Sequence, residues 1–156
     1  MAEHRATITW EAVVPAADFV KGKYSRAHTW TFDGGVTIPA SSSPSVVPPP
    51  WSNKDNVDPE EAFVASISSC HMLTFLYVAA KAGFTVTGYR DEAVGVLTKN
   101  ERGVAWVSRV TLSPKIQWAD RAPDAEQLAT FHHAAHDGCF IANSVTTEIV
   151  VGPPPS

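Results

Sequence analysis

Apolar and polar residues alternate along residues 6–14, with Ile8, Trp10 and Ala12 on one side and Thr7, Thr9 and Glu11 on the other. That period of two predicts a half-buried strand. A second β-like run, residues 25–32, follows the turn-prone Lys21-Gly22-Lys23, and Asp33-Gly34-Gly35 predicts a tight hairpin into residues 36–38. The pattern stops at Pro39. Residues 39–57 hold prolines at 44, 48, 49 and 50, serines at 41–43 and 45, and Asn53 and Asn56. Such a stretch predicts a surface loop with polyproline character. A loop of that length in a compact domain usually covers a site or packs on a partner chain.

A helix start is written plainly after it. Asp58 caps, Pro59 suits the first helical position, and Glu61, three residues after Asp58, completes a capping box. Apolar residues then fall on most sides of the helix, among them Phe63, Val64, Ile67, Met72, Leu73, Phe75, Leu76, Tyr77 and Val78, until Gly83 stops it. A helix apolar all round is expected to be buried on more than one side, by its own sheet or by another chain. Residues 62–82 are long enough to raise the question of a membrane. They contain Ser66, Ser68, Ser69, His71, Thr74 and Lys81 and follow two glutamates, which a spanning helix tolerates badly. A buried helix of a soluble protein is the expectation, with no membrane partner.

Residues 89–99 and 103–118 read as strands joined by Asn100-Glu101-Arg102, with Pro114 marking a bulge or an edge. Residues 124–136 are helical by the spacing of Leu128, Phe131 and Ala135, with Gly138 as the stop, and residues 145–151 form a last β-branched strand. Strands, long helix, strands, helix, strand is the order of an α+β fold with an antiparallel sheet. The expected organisation is one domain over residues 1–152 and a free tail over 153–156.

The 156 residues are 44% hydrophobic and 10% aromatic, which excludes disorder, and the two cysteines exclude a disulfide-stapled miniprotein. Twelve basic against sixteen acidic residues give a net charge of -4, a poor match for nucleic acid, which needs clustered Lys and Arg. The N-terminal residues carry Glu3, His4 and Arg5 in place of a signal peptide's apolar core, so a cytoplasmic location is the default expectation. Thiols stay reduced there, and the two cysteines are expected to be reactive or simply buried.

Cys70 falls in the middle of the long helix, and Cys139 just past the end of the second. A thiol is a good nucleophile only as thiolate, which needs a nearby cation or a helix N-terminus. Cys70 is about 15 Å along the axis from Glu60, beyond the reach of the helix dipole, so a basic side chain from elsewhere must activate it. The plainer reading makes both cysteines small buried hydrophobes. His132, His136 and Cys139 follow one another at helical spacing and, with Cys70, contain the donor types of a zinc site. The spacing matches no zinc signature, and His132 and His133, being adjacent, point apart; an exposed polar face is preferred. His71 diverges from Cys70 by about 100° and reads as a satisfied core histidine. There is no CxxC, no Gly-rich phosphate loop and no G-x-S-x-G elbow.

The run Asp58-Pro-Glu-Glu-Ala-Phe-Val-Ala-Ser-Ile-Ser-Ser-Cys70 resembles the "NPE…C" helix of the OsmC/Ohr family, the osmotically inducible and organic hydroperoxide resistance proteins. Ala135-His-Asp-Gly-Cys139-Phe-Ile-Ala-Asn-Ser144 resembles that family's second signature. Asp58 stands where the family often has Asn, and Phe140 where a proline often follows the second cysteine. The resemblance implies an α+β fold with an antiparallel sheet, a long buried central helix and a second helix, in an intertwined homodimer with two active sites between the chains.

It further implies a thiol peroxidase that reduces organic hydroperoxides in oxidative or osmotic stress defence, with Cys70 as peroxidatic thiol, Cys139 as resolving thiol and Glu60 as the acidic partner. The family's N-terminal arginine is matched by Arg26, the one arginine between Arg5 and Arg90. No cofactor is implied beyond the cysteine pair; an external dithiol, such as a dihydrolipoyl protein, would regenerate it. The alternatives are a non-enzymatic module holding a hydrophobic ligand on the same fold, and a zinc site built on the histidines.

Overall fold

The computed structural model describes residues 1–153; of the expected free tail, residues 154–156 lie outside the described residues. The chain divides into two compact units, Met1–Ala62 and Phe63–Ser156.

In the first unit, β1 (Ala6–Thr9), β2 (His28–Phe32) and β3 (Thr37–Ala40) form an antiparallel sheet in the order β1-β2-β3. Ile8, Trp30 and Ile38 lie in one row across it. The first strand is shorter than its alternation predicts: past Thr9 the chain leaves the sheet, and the short helix α1 (Ala16–Phe19), unforeseen in the sequence, follows Pro15. The proline-rich segment is a loop, but an anchored one. Ser41 is fully buried, its N–H donates to the Val57 carbonyl and its hydroxyl accepts from the Asn53 N–H at 3.0 Å. The Arg26 N–H donates to the Trp51 carbonyl at 2.9 Å.

The helix α2 (Pro59–Lys81) begins where the capping box puts it. The Glu61 N–H donates to Asp58 Oδ1 at 2.8 Å, and Glu61 Oε2 accepts from the Asp58 N–H at 3.1 Å. Gly83, at φ 78°, turns the chain out of the helix, a conformation that costs glycine little.

In the second unit the two long predicted strands are each broken. The first becomes β4 (Val86–Asp91) and β5 (Val94–Lys99), the second β6 (Ala105–Leu112) and β7 (Pro114–Trp118). β4 pairs with β7 in one sheet, and β5-β6-β8 form another, where β8 is Glu148–Val151. Pro114 is at an edge, as one of the two expectations had it: it opens β7, an edge strand of the two-stranded β4-β7 sheet, just after the residue at which the chain changes sheets, and the bulge in that sheet falls elsewhere, at Val86/Gly88. The antiparallel expectation holds except at β6 and β8, which run parallel from Arg109↔Glu148 to Leu112↔Val151. The helix α3 (Ala125–Gly138) is capped by Asp124 with Gln127, a second capping box.

The core has two parts. Phe75 and Ala79 of α2 pack with Phe84 and with Phe131 and Ala135 of α3; Ile67 of α2 packs with Val110 and Leu112 of β6. The expectation that α2 is buried on more than one side is corrected for the single chain. Ile67, His71, Phe75 and Ala79, four apart, form one buried stripe, while Leu73 and Tyr77 stay 61% and 63% exposed. One chain supplies neighbours for one face only. By length and composition α2 could span a membrane; His71, the one polar residue of its buried stripe, is paired with His132.

Candidate functional site

The buried stripe of α2 and the C-terminal end of α3 bring the two cysteines together, although 68 residues separate them in the chain. Cys70 is half-buried and Cys139 fully buried, and both are free thiols. Cys70 stands near enough to act on the Cys139 thiol: burial first, and the neighbouring Cys70 second, push that thiol above its ordinary value, so it is protonated at neutral pH. The turn after α3 holds Cys139 in place. The Ala142 N–H donates to Cys139 Sγ at 3.4 Å, and the Asn143 side-chain amide donates to the carbonyls of Cys139 and Asp137, both at 2.9 Å. Phe140, at the position where proline often follows in the family, is 84% exposed and leaves that turn undisturbed.

One residue from Cys70 lies a polar cluster that sequence reasoning resolved only in part. His71 is 1% exposed, as expected of a satisfied core histidine, and its partner is His132 of α3, with Nε2···Nδ1 at 3.1 Å and near-parallel rings 11° apart. Burial, with the neighbouring His132 and His136, pushes His71 down to about 4 against a weaker opposing pull from Asp91. Burial lowers His132 as well. Asp91, at the end of β4, accepts from the Ser68 hydroxyl at 2.5 Å and from the Ser113 N–H at 2.6 Å. The Tyr89 hydroxyl is buried with no partner among the described residues, and burial raises its pKa. Asp91 and Tyr89 carried no signal in the sequence beyond their place in a predicted strand.

The zinc arrangement is not assembled. His132 is committed to His71, His133 lies 3.4 Å from Asp137, and Cys139 faces Cys70. Among the described residues no three His, Cys, Asp or Glu side chains gather as a metal would need.

Arg26 and Glu60 belong to the first unit. The Arg26 Nη1 donates to the carbonyls of Gly22 and Tyr24 at 2.8 and 2.6 Å, and the guanidinium stacks 3.8 Å from the centre of the Tyr24 ring. Gly22, at φ 74°, makes the turn that brings its carbonyl there. Glu60 sits in the first turn of α2, and among the described residues it makes no ion pair with Arg26.

The chain is 52% identical to an OsmC-like protein of unknown function from Vibrio cholerae, over 97% of this chain and 99% of that one, with a TM-score of 0.91. An organic hydroperoxide resistance protein from Elizabethkingia anophelis with thiocyanate bound shares the fold at 18% identity, over 97% and 96% of the two chains and with a TM-score of 0.71. One from Bacillus subtilis does so at 19% identity, over 97% and 98%, with a TM-score of 0.64. Among curated proteins none matches. The family model described as OsmC-like protein matches residues 52–153, which include both cysteines, and the chain therefore belongs to the OsmC-like family.

Proposed function

We propose that this protein is a cysteine-based peroxidase that reduces organic hydroperoxides. The observation that supports the reading is the nearness of the two free thiols, a half-exposed Cys70 and a buried Cys139 whose titration Cys70 raises. The Cys70 thiolate attacks the distal oxygen of ROOH; the O–O bond breaks, RO⁻ leaves and takes a proton to become ROH, and Cys70 becomes a sulfenic acid. Cys139 then attacks the Cys70 sulfur. Its proton leaves with the hydroxyl as water, and a disulfide remains. An external dithiol, in the cytoplasm a dihydrolipoyl protein, reduces that disulfide and is itself oxidised.

Arg26 supports the Cys70 thiolate and Glu60 orients the guanidinium in this reading, within a homodimer that covers Leu73 and Tyr77. The test is peroxide consumption with cumene hydroperoxide and with dihydrolipoamide or reduced thioredoxin as electron donor. Turnover should be supported by dihydrolipoamide, abolished by Cys70→Ser and reduced at least roughly 100-fold by Arg26→Ala. Full turnover in the Cys70→Ser protein refutes the mechanism. The second reading, a module that holds a hydrophobic ligand without redox chemistry, draws on the uncovered apolar face of α2 and would show no peroxide consumption at all.

A further inference from the structure

Gly138 ends α3, but not through a left-handed turn. Its φ is not positive, and Cys139 follows in extended backbone at φ -76° and ψ 114°. Glycine serves a close approach here. A Cβ at Gly138 would stand 3.0 Å from Thr74 Cγ2 of α2, and the Thr74 hydroxyl donates to the Cys70 carbonyl at 3.0 Å. The end of α3 is thereby brought against α2 one turn from Cys70.

Asn143 then fixes the turn that carries Cys139. Its side-chain amide donates to the carbonyls of Asp137 and Cys139, both at 2.9 Å, and its backbone N–H donates to the Cys139 carbonyl at 3.0 Å. Carbonyls only accept, so the amide nitrogen is the atom that faces them. The Asp137 carbonyl is among those a helix leaves without a partner at its end. The same turn aims the Ala142 N–H at Cys139 Sγ, 3.4 Å away. Phe140 restrains the turn little: its side chain is 84% exposed and its N–H makes no hydrogen bond among the described residues. Beyond Asn143, the one side chain that ties the turn is Ser144, whose hydroxyl donates to the Phe140 carbonyl at 2.7 Å.

We propose that Asn143 is a positioning residue for Cys139, holding its sulfur against Cys70 so that disulfide formation outruns a second oxidation of Cys70. The proposal rests on the peroxidase reading. The Cys70 sulfenic acid has two fates. Cys139 attacks its sulfur, water leaves and the disulfide forms. Otherwise the sulfenate attacks the distal oxygen of a second ROOH, the O–O bond breaks, ROH leaves and Cys70 becomes a sulfinic acid, which a dithiol does not restore. A displaced Cys139 favours the second fate.

The test is intact-protein mass spectrometry after a fixed excess of cumene hydroperoxide. It compares the unaltered protein, Asn143→Leu, which keeps the volume and removes the donor, and Asn143→Leu combined with Phe140→Pro. Proline suits this turn, because Cys139 before it is extended and the Phe140 N–H has no bond to lose. Consumption of the first equivalent of hydroperoxide, followed by stopped flow, should be equally fast in all three, which a misfolded variant would not show. The ratio of Cys70 sulfinic acid to disulfide should rise at least roughly tenfold in Asn143→Leu and fall back in the double variant. An unchanged ratio in Asn143→Leu overturns the proposal and leaves the peroxidase reading standing. So does a slower first step in that variant, the mark of a general structural role, or a raised ratio that proline does not lower. No oxidation of the unaltered protein overturns both.

Discussion

His71 makes the stability of this protein acid-sensitive over a defined range. In the unfolded chain the imidazole protonates near 6.5; in the folded one, at 1% exposure and beside His132, it resists the proton down to about 4. Between those limits the unfolded state binds a proton that the folded state refuses, so stability rises with pH there. The contribution is complete above 6.5 and is lost as the pH falls toward 4. The gap is roughly 2.5 pH units, each about 1.4 kcal/mol, for a ceiling of about 3.5 kcal/mol. His132, lowered by the same burial, adds in the same direction. The assay is urea unfolding followed by circular dichroism at intervals between pH 4 and 8, on the unaltered protein and on His71→Leu. The variant loses the His71–His132 hydrogen bond and starts less stable at pH 8. Its stability should then fall less on acidification, and the two curves should converge by up to about 3.5 kcal/mol. Parallel curves over the whole range would show that His71 protonates equally in both states, and the reasoning would fail.

Other expectations follow from single contacts. Gly95→Ala would place a Cβ 2.5 Å from Val64 Cγ2; the β-branched side chain has little room to turn away, and a loss of about 1–3 kcal/mol is expected in the same unfolding assay. Asp58→Ala removes the acceptor for the Glu61 N–H at the start of α2 and should cost about 1 kcal/mol. Phe75→Ala empties the centre of the aromatic core, where Phe75 is fully buried, and should cost about 3–5 kcal/mol by thermal or urea unfolding.

Much of the architecture could be read from residues that act locally. Asp58, Pro59 and Glu61 set the start of α2 and Gly83 its end, because capping and positive φ depend only on near neighbours. The strand breaks were invisible for the opposite reason. Nothing in residues 89–99 says that Asp91 and Val94 belong to different sheets; the division comes from which partner strand each segment finds, a tertiary choice. The parallel β6–β8 pair is likewise set by α3 carrying the chain back. At the site, the two cysteines were evident as residues and their contact was implied by family resemblance alone. The His71–His132 pair depended on α2 packing against α3, which period and propensity do not specify. Arg26 was implied by family resemblance, as the one arginine between Arg5 and Arg90, and its carbonyl ligands at Gly22 and Tyr24 come from a turn whose shape only the structure supplies.

Exchange of oxidation state between Cys70 and Cys139 is read by intact-protein mass spectrometry after one equivalent of cumene hydroperoxide, with Cys139→Ser run in parallel. The unaltered chain should lose the mass of two hydrogens, reversibly with a dithiol, and Cys139→Ser should instead gain one oxygen at Cys70. An unchanged mass in the unaltered protein, or oxygen gained there with no disulfide, would contradict it.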